Sequence, residues 1–328
     1  MQQTRFPQID SLRGIAALAV CWLHLTIPTS YAPLRLSGSH GNLGVQVFFV
    51  ISGFVIPWSL DQSKYRLRDF PRFLLKRVMR LDPPYLATIA LTVPLAYAAA
   101  STPGFAGEWP GFTFAQVAAH LAYLNALIGY PWVVIVFWTL AIEFQFYLSV
   151  GLIYPLIAHQ RQAVRLGTVA LLCAIAPLSA SHSLLIHWLS LFGMGMLTFH
   201  YLSGRLSRNG YLASLALCTL AALGALEVGM AIAGLGTALL IAFSRWQTRP
   251  LLLLGRISYS LYLLHAPIGT KVVNLGLRAV HAPLLQIGVS LLGTAASLLA
   301  AWCMYSLIER PAQRLSSRIA YAPATVDR

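Results

Sequence analysis

The sequence predicts an all-α polytopic membrane protein, a bundle of about ten transmembrane helices with both termini cytoplasmic. Three observations lead there. The 328 residues are 58% apolar and only 10% charged, with a mean hydropathy of +0.69, whereas soluble domains run at about 45–50% apolar and about 25% charged. Apolar runs long enough to cross a ~30 Å hydrocarbon core as helix recur from Ile15 to Ile308. Lipid satisfies no backbone polar groups, so such spans are helices rather than open strands. Finally, the basic residues fall in the short segments between these runs, where they set topology.

The first expected span, 12–29, carries Asp10 and Arg13 at its entrance and has no clean small-residue cleavage site, so it reads as a retained helix. A second span covers 43–60. Lys64, Arg66, Arg68, Arg72, Lys76, Arg77 and Arg80 follow, the strongest basic cluster, which places that loop in the cytoplasm. Within it, residues 72–80 read as a surface helix stopped by Pro83-Pro84. The third span is 83–101. An outward loop, 102–131, is rich in Pro, Gly and aromatics, and its stretch 114–128 reads as a re-entrant or interfacial helix. Further spans are expected at 132–157, 166–181, 185–203, 210–226, 228–245, 251–274 and 284–308.

Threaded this way, Arg5, the 61–80 loop, Arg161/Arg165, Arg205/Arg208, Arg245/Arg249 and Arg310/Arg314/Arg318 lie inside, with little beyond Arg35, Lys271 and Arg278 outside. The net charge of +14 is therefore a matter of topology and anionic lipid head groups, and no nucleic-acid partner is expected. Cys21, Cys173, Cys218 and Cys303 each stand alone within a span and read as packing residues, with no disulfide framework or metal site. No internal repeat is visible. The chain ends soon after the last span, at Arg328, so residues 1–328 read as a single membrane domain with no appended soluble domain.

Ionisable residues inside spans are functional candidates by default. Arg13 and His24 are eleven positions apart, about three turns, so they share a helix face at roughly 16 Å separation along the axis. That suits a ligand with an anionic head at one end and a reactive carbonyl deeper in. The structural alternative has Arg13 pairing with Asp10 or snorkelling, and His24 bonding a neighbouring helix. Glu143 is the one acid in the middle of a long span and needs a proton, a cation or strong donors. A buried His would be one such partner, and the pair would make His24 a better base; the structural alternative is a bond to an Arg or Tyr elsewhere in the bundle. Arg77 and Arg80 could hold phosphates at a cytosolic mouth. Around His265, the residues Ser258, Tyr259, Ser260 and Tyr262 read as interhelical glue, and Glu309 as a helix end paired locally with Arg310. There is no GxSxG elbow, no HExxH and no P-loop.

Six stretches in order resemble the membrane-bound acyltransferase family 3. They are Ile9-Asp10-Ser11-Leu12-Arg13-Gly14 followed by His24, the family's Arg-x10-His; residues 44–54 with Ser52; Arg77-x2-Arg80 before Pro-Pro-Tyr; Trp138-Thr139-Leu140 with Glu143, Gln145, Phe146 and Tyr147, where Thr139 replaces the usual Ser; Ile257 to His265; and Ile308-Glu309-x-Pro311.

The resemblance implies ten core helices and acyl-CoA, usually acetyl-CoA, as co-substrate, with no permanently bound cofactor and no metal. It further implies O-acylation of a carbohydrate or glycosylated hydroxyl at a bacterial cytoplasmic (inner) membrane. His24 would be the catalytic base or acyl carrier, with Glu143 in support and Arg13, Arg77 and Arg80 binding the acyl-CoA. Asp10, Ser52, Gln145, Tyr147, Tyr259 and His265 would shape the acceptor site or support the structure. Some family members carry an extracytoplasmic hydrolase-like domain, so this chain is expected to finish the transfer itself or with a separate partner. A rival class is a transporter using Arg13, His24 and Glu143 as a proton or solute pathway, for which inverted repeats would be the sign; none is visible.

Overall fold

The computed structural model describes residues 6–102 and 109–321. Arg5 and residues 103–108 of the outward loop therefore lie outside the described residues. Of the described residues 78% are helical, and none is in a strand. The helices are α1 (Pro7–Thr26), α2 (Ala32–Gly38), α3 (Gly44–Gln62), α4 (Phe70–Ala100), α5 (Phe114–His120), α6 (Phe137–Ile157), α7 (Gln162–Ile175) and α8 (Leu185–Leu202). They continue as α9 (Arg208–Ala225), α10 (Val228–Phe243), α11 (Arg249–Arg256), α12 (Ser258–Leu264), α13 (Lys271–Leu277), α14 (Pro283–Met304) and α15 (Arg310–Ser317). Two π-helical turns, His265–Thr270 and Tyr305–Glu309, interrupt the last third.

Among the described residues six segments are long and apolar enough to cross a membrane: Pro7–Thr26, Ala32–Gln62, Leu67–Ala100, Phe137–Ile157, Leu185–Leu202 and Pro283–Ser317. The pair formed by α11 and the stretch Ser258–Leu277, bent by 58°, makes a seventh if counted as one span. This is fewer than the ten expected. Gln162–Leu178 and Val228–Phe243 are apolar but shorter, and a helix of that length falls short of a ~30 Å core at ~1.5 Å per residue.

α8 is the centre of the bundle, with 83% of its apolar window buried. It meets α3 backbone to backbone. A Cβ on Gly53 would lie 2.2 Å from the Phe192 carbonyl oxygen, and one on Gly195 2.2 Å from that of Val50. Small residues let helices approach this closely where lipid supplies no hydrophobic drive.

Polar contacts tie the two ends of the bundle separately. At one end Tyr65 donates to the Gly151 carbonyl at 2.7 Å, Arg205 pairs with Asp61 at 2.5 Å, and Arg165 donates to the Arg205 carbonyl at 3.0 Å. Ser316 donates there to the Lys76 carbonyl at 2.7 Å. At the other end the Gln286 side chain accepts from the Ser30 amide at 2.9 Å, and that of Gln145 from the Leu185 amide at 2.8 Å. The loops carrying Lys64, Arg161 and Arg205 thus gather at one end.

Four expectations change. Residues 72–80 are no separate surface helix, because α4 runs unbroken through Pro83, Pro84 and Pro94. Neighbouring helices can re-satisfy the backbone groups that proline frees, and at this step the Tyr259 hydroxyl donates to the Leu81 carbonyl at 2.9 Å. The re-entrant helix expected over 114–128 stops at His120, after which the chain turns around the buried His120 and Asn125. There the Val133 amide donates to His120 Nε2 at 3.2 Å, and burial lowers the imidazole pKa against an opposing bond to the Gln116 carbonyl. Glu309 ends no helix: α15 continues to Ser317. Cys173 and Cys218, though free thiols, are not isolated, since their sulfurs meet at 2.8 Å between α7 and α9.

Candidate active site

Three guanidinium groups set the character of the site. α1 carries Arg13, and its first turns press on α11 so tightly that a Cβ on Gly255 would lie 2.1 Å from the Asp10 carbonyl oxygen. α4 carries Arg77 and Arg80, three residues apart and hence on one helix face. All three line one cavity together with Ser52, Glu143 and Tyr259.

Arg77 is only 6% exposed, its guanidinium lying 5.2 Å from the Phe73 ring centre and 5.6 Å from that of Tyr147. The Nε atoms of Arg13 and Arg77 are buried with no hydrogen-bond partner. Among the described residues none of the three arginines makes an ion pair, so the expected alternative of an Arg13–Asp10 pair is not formed. Concentrating cations without ion pairs is costly, and such a cavity can take an anion.

Two carboxylates border the cluster, and each is already occupied by hydroxyls. Glu143 accepts from Ser52 at 2.7 Å and from Tyr147 through a very short bond. Glu309, 3% exposed, accepts from Ser260 at 2.5 Å and from Gln313 at 2.9 Å, with Arg13 and Arg80 in electrostatic reach. The sequence reading treated Glu309 as a helix end. The signal that could have placed it was its position directly after a long apolar run, in the motif Ile308-Glu309-x-Pro311.

His24 does not meet Glu143. Its Nδ1 lies 2.9 Å from the Val20 carbonyl oxygen and 3.2 Å from Nε2 of His265, a residue fully buried in the bundle. Neither histidine lines the arginine cavity. Tyr262 joins the two regions: it lines the cavity, its hydroxyl shares a 2.8 Å bond with Thr139, and its ring centre is 5.8 Å from that of His265. Expected as interhelical glue, Tyr262 stands in the fold between the two groups. Since α1 is uninterrupted, Arg13 and His24 keep their axial separation of roughly 16 Å. Gln145 faces away, donating to the Ser183 carbonyl at 3.1 Å, and so ties α6 to the turn before α8. Among the described residues no group of His, Cys, Asp and Glu is placed to hold a metal ion.

A family model described as an acyltransferase domain matches residues 6–306. The chain belongs to acyltransferase family 3. The chain is 30% identical over 165 residues to the acyltransferase MdmB of Streptomyces mycarofaciens, covering 47% of the chain and 40% of MdmB. It is 28% identical over 217 residues to the O-acetyltransferase OatA of Staphylococcus aureus, covering 62% of the chain and 31% of OatA. A protein of Acidianus two-tailed virus carried under an acetyltransferase name, ORF330, is 27% identical over 210 residues, covering 61% of the chain and 59% of the viral protein. The chain therefore spans less than two thirds of the length of each of these relatives. No solved structure matches it. In this acyltransferase the motif residues converge in space: Arg13, Ser52, Arg77, Arg80, Glu143 and Tyr259, drawn from five helices, share one cavity.

Proposed function

We propose that the protein moves an acyl group, acetyl in the simplest case, from acyl-CoA to a hydroxyl of a carbohydrate or glycosylated acceptor. The observation that carries this is the pair of unlike groups on one face of α1. Arg13 lines a cavity with Arg77 and Arg80 at one end, and His24 lies near the other. Arg13, Arg77 and Arg80 fit the phosphates of a nucleotide-like donor, which multidentate guanidinium contacts hold well. From that anchor the extended thiol arm reaches along the helix, past Tyr262, toward His24. The likeness to the O-acetyltransferase OatA supports transfer to oxygen, and the resemblance to the family supports a carbohydrate acceptor.

In this mechanism the Nε2 lone pair of His24 takes the proton of the acceptor hydroxyl as its oxygen attacks the thioester carbonyl. The carbon–sulfur bond breaks, and the departing thiolate receives that proton back from Nε2. The products are an ester and free CoA, and the imidazole returns to its starting state. Hydroxyl donors such as Tyr262 are placed to stabilise developing charge on the carbonyl oxygen. The gathering of basic loops at one end of the bundle supports an orientation in which the arginine mouth and both termini face the cytoplasm of a bacterial inner membrane.

The test is acyl-CoA consumption by purified protein in detergent, with and without saccharide acceptors, for wild type beside His24→Ala and Arg13→Ala. Turnover by the wild type, none by the His24 variant and a raised KM in the Arg13 variant are expected. Solute flux without any acyl-CoA consumption would point to the transporter class instead.

A further inference from the structure

The proton positions of two histidines can be assigned from their neighbours. His265 Nδ1 lies 3.1 Å from the Leu261 carbonyl oxygen. A carbonyl oxygen only accepts, so this nitrogen carries the hydrogen, and in a neutral ring Nε2 is then left as an acceptor. His24 Nδ1 likewise faces the Val20 carbonyl oxygen at 2.9 Å and must carry its hydrogen there. The same Nδ1 lies 3.2 Å from the bare Nε2 of His265. The His24 proton is shared between two acceptors on one edge of the ring. The opposite edge, Nε2, keeps its lone pair. A second proton on His265 would set N–H against N–H at that distance, so the pair fits only a neutral His265.

The backbone holds this arrangement in place. His265 opens the π-helical turn His265–Thr270, where Pro267 has no amide hydrogen to continue the α-helical ladder, and π turns of this kind concentrate at functional sites. The turn is pinned on two sides. A Cβ on Gly269 would lie 2.2 Å from Ser297 Oγ on α14 and 2.8 Å from Leu25 Cδ2, the residue next to His24. His265 is fully buried, while His24 is half-buried and retains an accessible edge.

We propose that His265 is a positioning residue. By accepting from Nδ1–H of His24 beside the Val20 carbonyl, it fixes the ring orientation that leaves His24 Nε2 free as the base. Glu143, which the sequence offered for this role, is held instead by Ser52 and Tyr147. The kinetic consequence rests on the acyl-transfer reading, whereas the tautomer itself does not.

The experiment combines kinetics with nitrogen NMR of 15N-histidine-labelled protein in detergent, the His24 signals being assigned by their loss in His24→Gln. Wild-type His24 is expected to be protonated at Nδ1 and bare at Nε2. His265→Leu should lower kcat by roughly 10- to 100-fold through a loosened His24 ring, while the KM for acyl-CoA stays unchanged. His265→Gln, whose side-chain oxygen can accept near the position of Nε2, should recover most of the rate, which a purely packing role would not explain. A wild-type His24 protonated at Nε2 overturns the proposal. So does a His265→Leu variant with wild-type kcat. If His265→Leu does not fold, the wild-type tautomer and the His265→Gln rate decide the matter. If the Nδ1–H form is present but no variant consumes acyl-CoA, the positioning role stands and the acyl-transfer reading falls.

Discussion

Two clusters of charge sit toward the same end of this bundle and are treated in opposite ways. In one, Arg205 is ion-paired with Asp61 at 2.5 Å, and the Tyr154 hydroxyl donates to that same carboxylate at 3.3 Å. In the other, Arg13, Arg77 and Arg80 crowd a cavity whose nearby carboxylates are taken by hydroxyls. The first cluster holds a carboxylate against its cation, though one Arg205 Nη stays without a hydrogen-bond partner, and it joins α3, α6 and the loop after α8. The second is left open, and a cost of that kind persists where a ligand supplies the missing charge. The lesson is that the partner of a buried cation, more than the cation itself, separates structural from functional arginines.

The sharpest break of this comparison is at the far end of α1. His24→Ala should reduce turnover by about 10²–10⁴-fold, with the thermal midpoint in detergent close to that of wild type. Substantial residual transfer would falsify the assignment of His24. Next, Arg77→Ala should raise the KM for acyl-CoA by about 10- to 100-fold, the worth of a charged hydrogen bond, without loss of thermal stability. A destabilised Arg77 variant with normal KM would merge the two clusters into one structural class. CoA itself should stabilise the wild type by about 2.7 kcal/mol when present at 100 times its Kd, a shift read by thermal unfolding and reduced to about 0.4–1.4 kcal/mol in Arg77→Ala at the same concentration. Arg205→Ala should do the reverse of Arg77→Ala, losing about 1–3 kcal/mol by stranding Asp61 while leaving KM unchanged. The smallest effect is expected at Gln145→Ala. Loss of its two bonds to the turn before α8 should cost about 1 kcal/mol, with rate constants unaltered.

How much of this was legible follows from distance along the chain. The Arg13–His24 relationship was readable because both lie on one uninterrupted helix with a fixed rise. Arg77 and Arg80 were readable as a pair for the same reason. The partner of His24 was not: His265 is 241 positions away, and nothing local distinguishes it from the acid that pattern reasoning preferred. Glu143 likewise finds Ser52 across 91 positions. The Pro83-Pro84 step misled because proline rules describe an isolated helix, whereas here Tyr259 of α12 reaches the backbone at that point.

By itself the sequence determined the helical membrane architecture, since 58% apolar composition and uncharged runs leave the backbone no solvent but itself. It also determined the family and the order of its motifs. Only the tertiary structure decided which buried polar groups are satisfied by one another and which are left waiting. Helix packing selects one set of neighbours from many, and that choice separates the open arginines from the closed Asp61–Arg205 pair and sets His265, not Glu143, against His24.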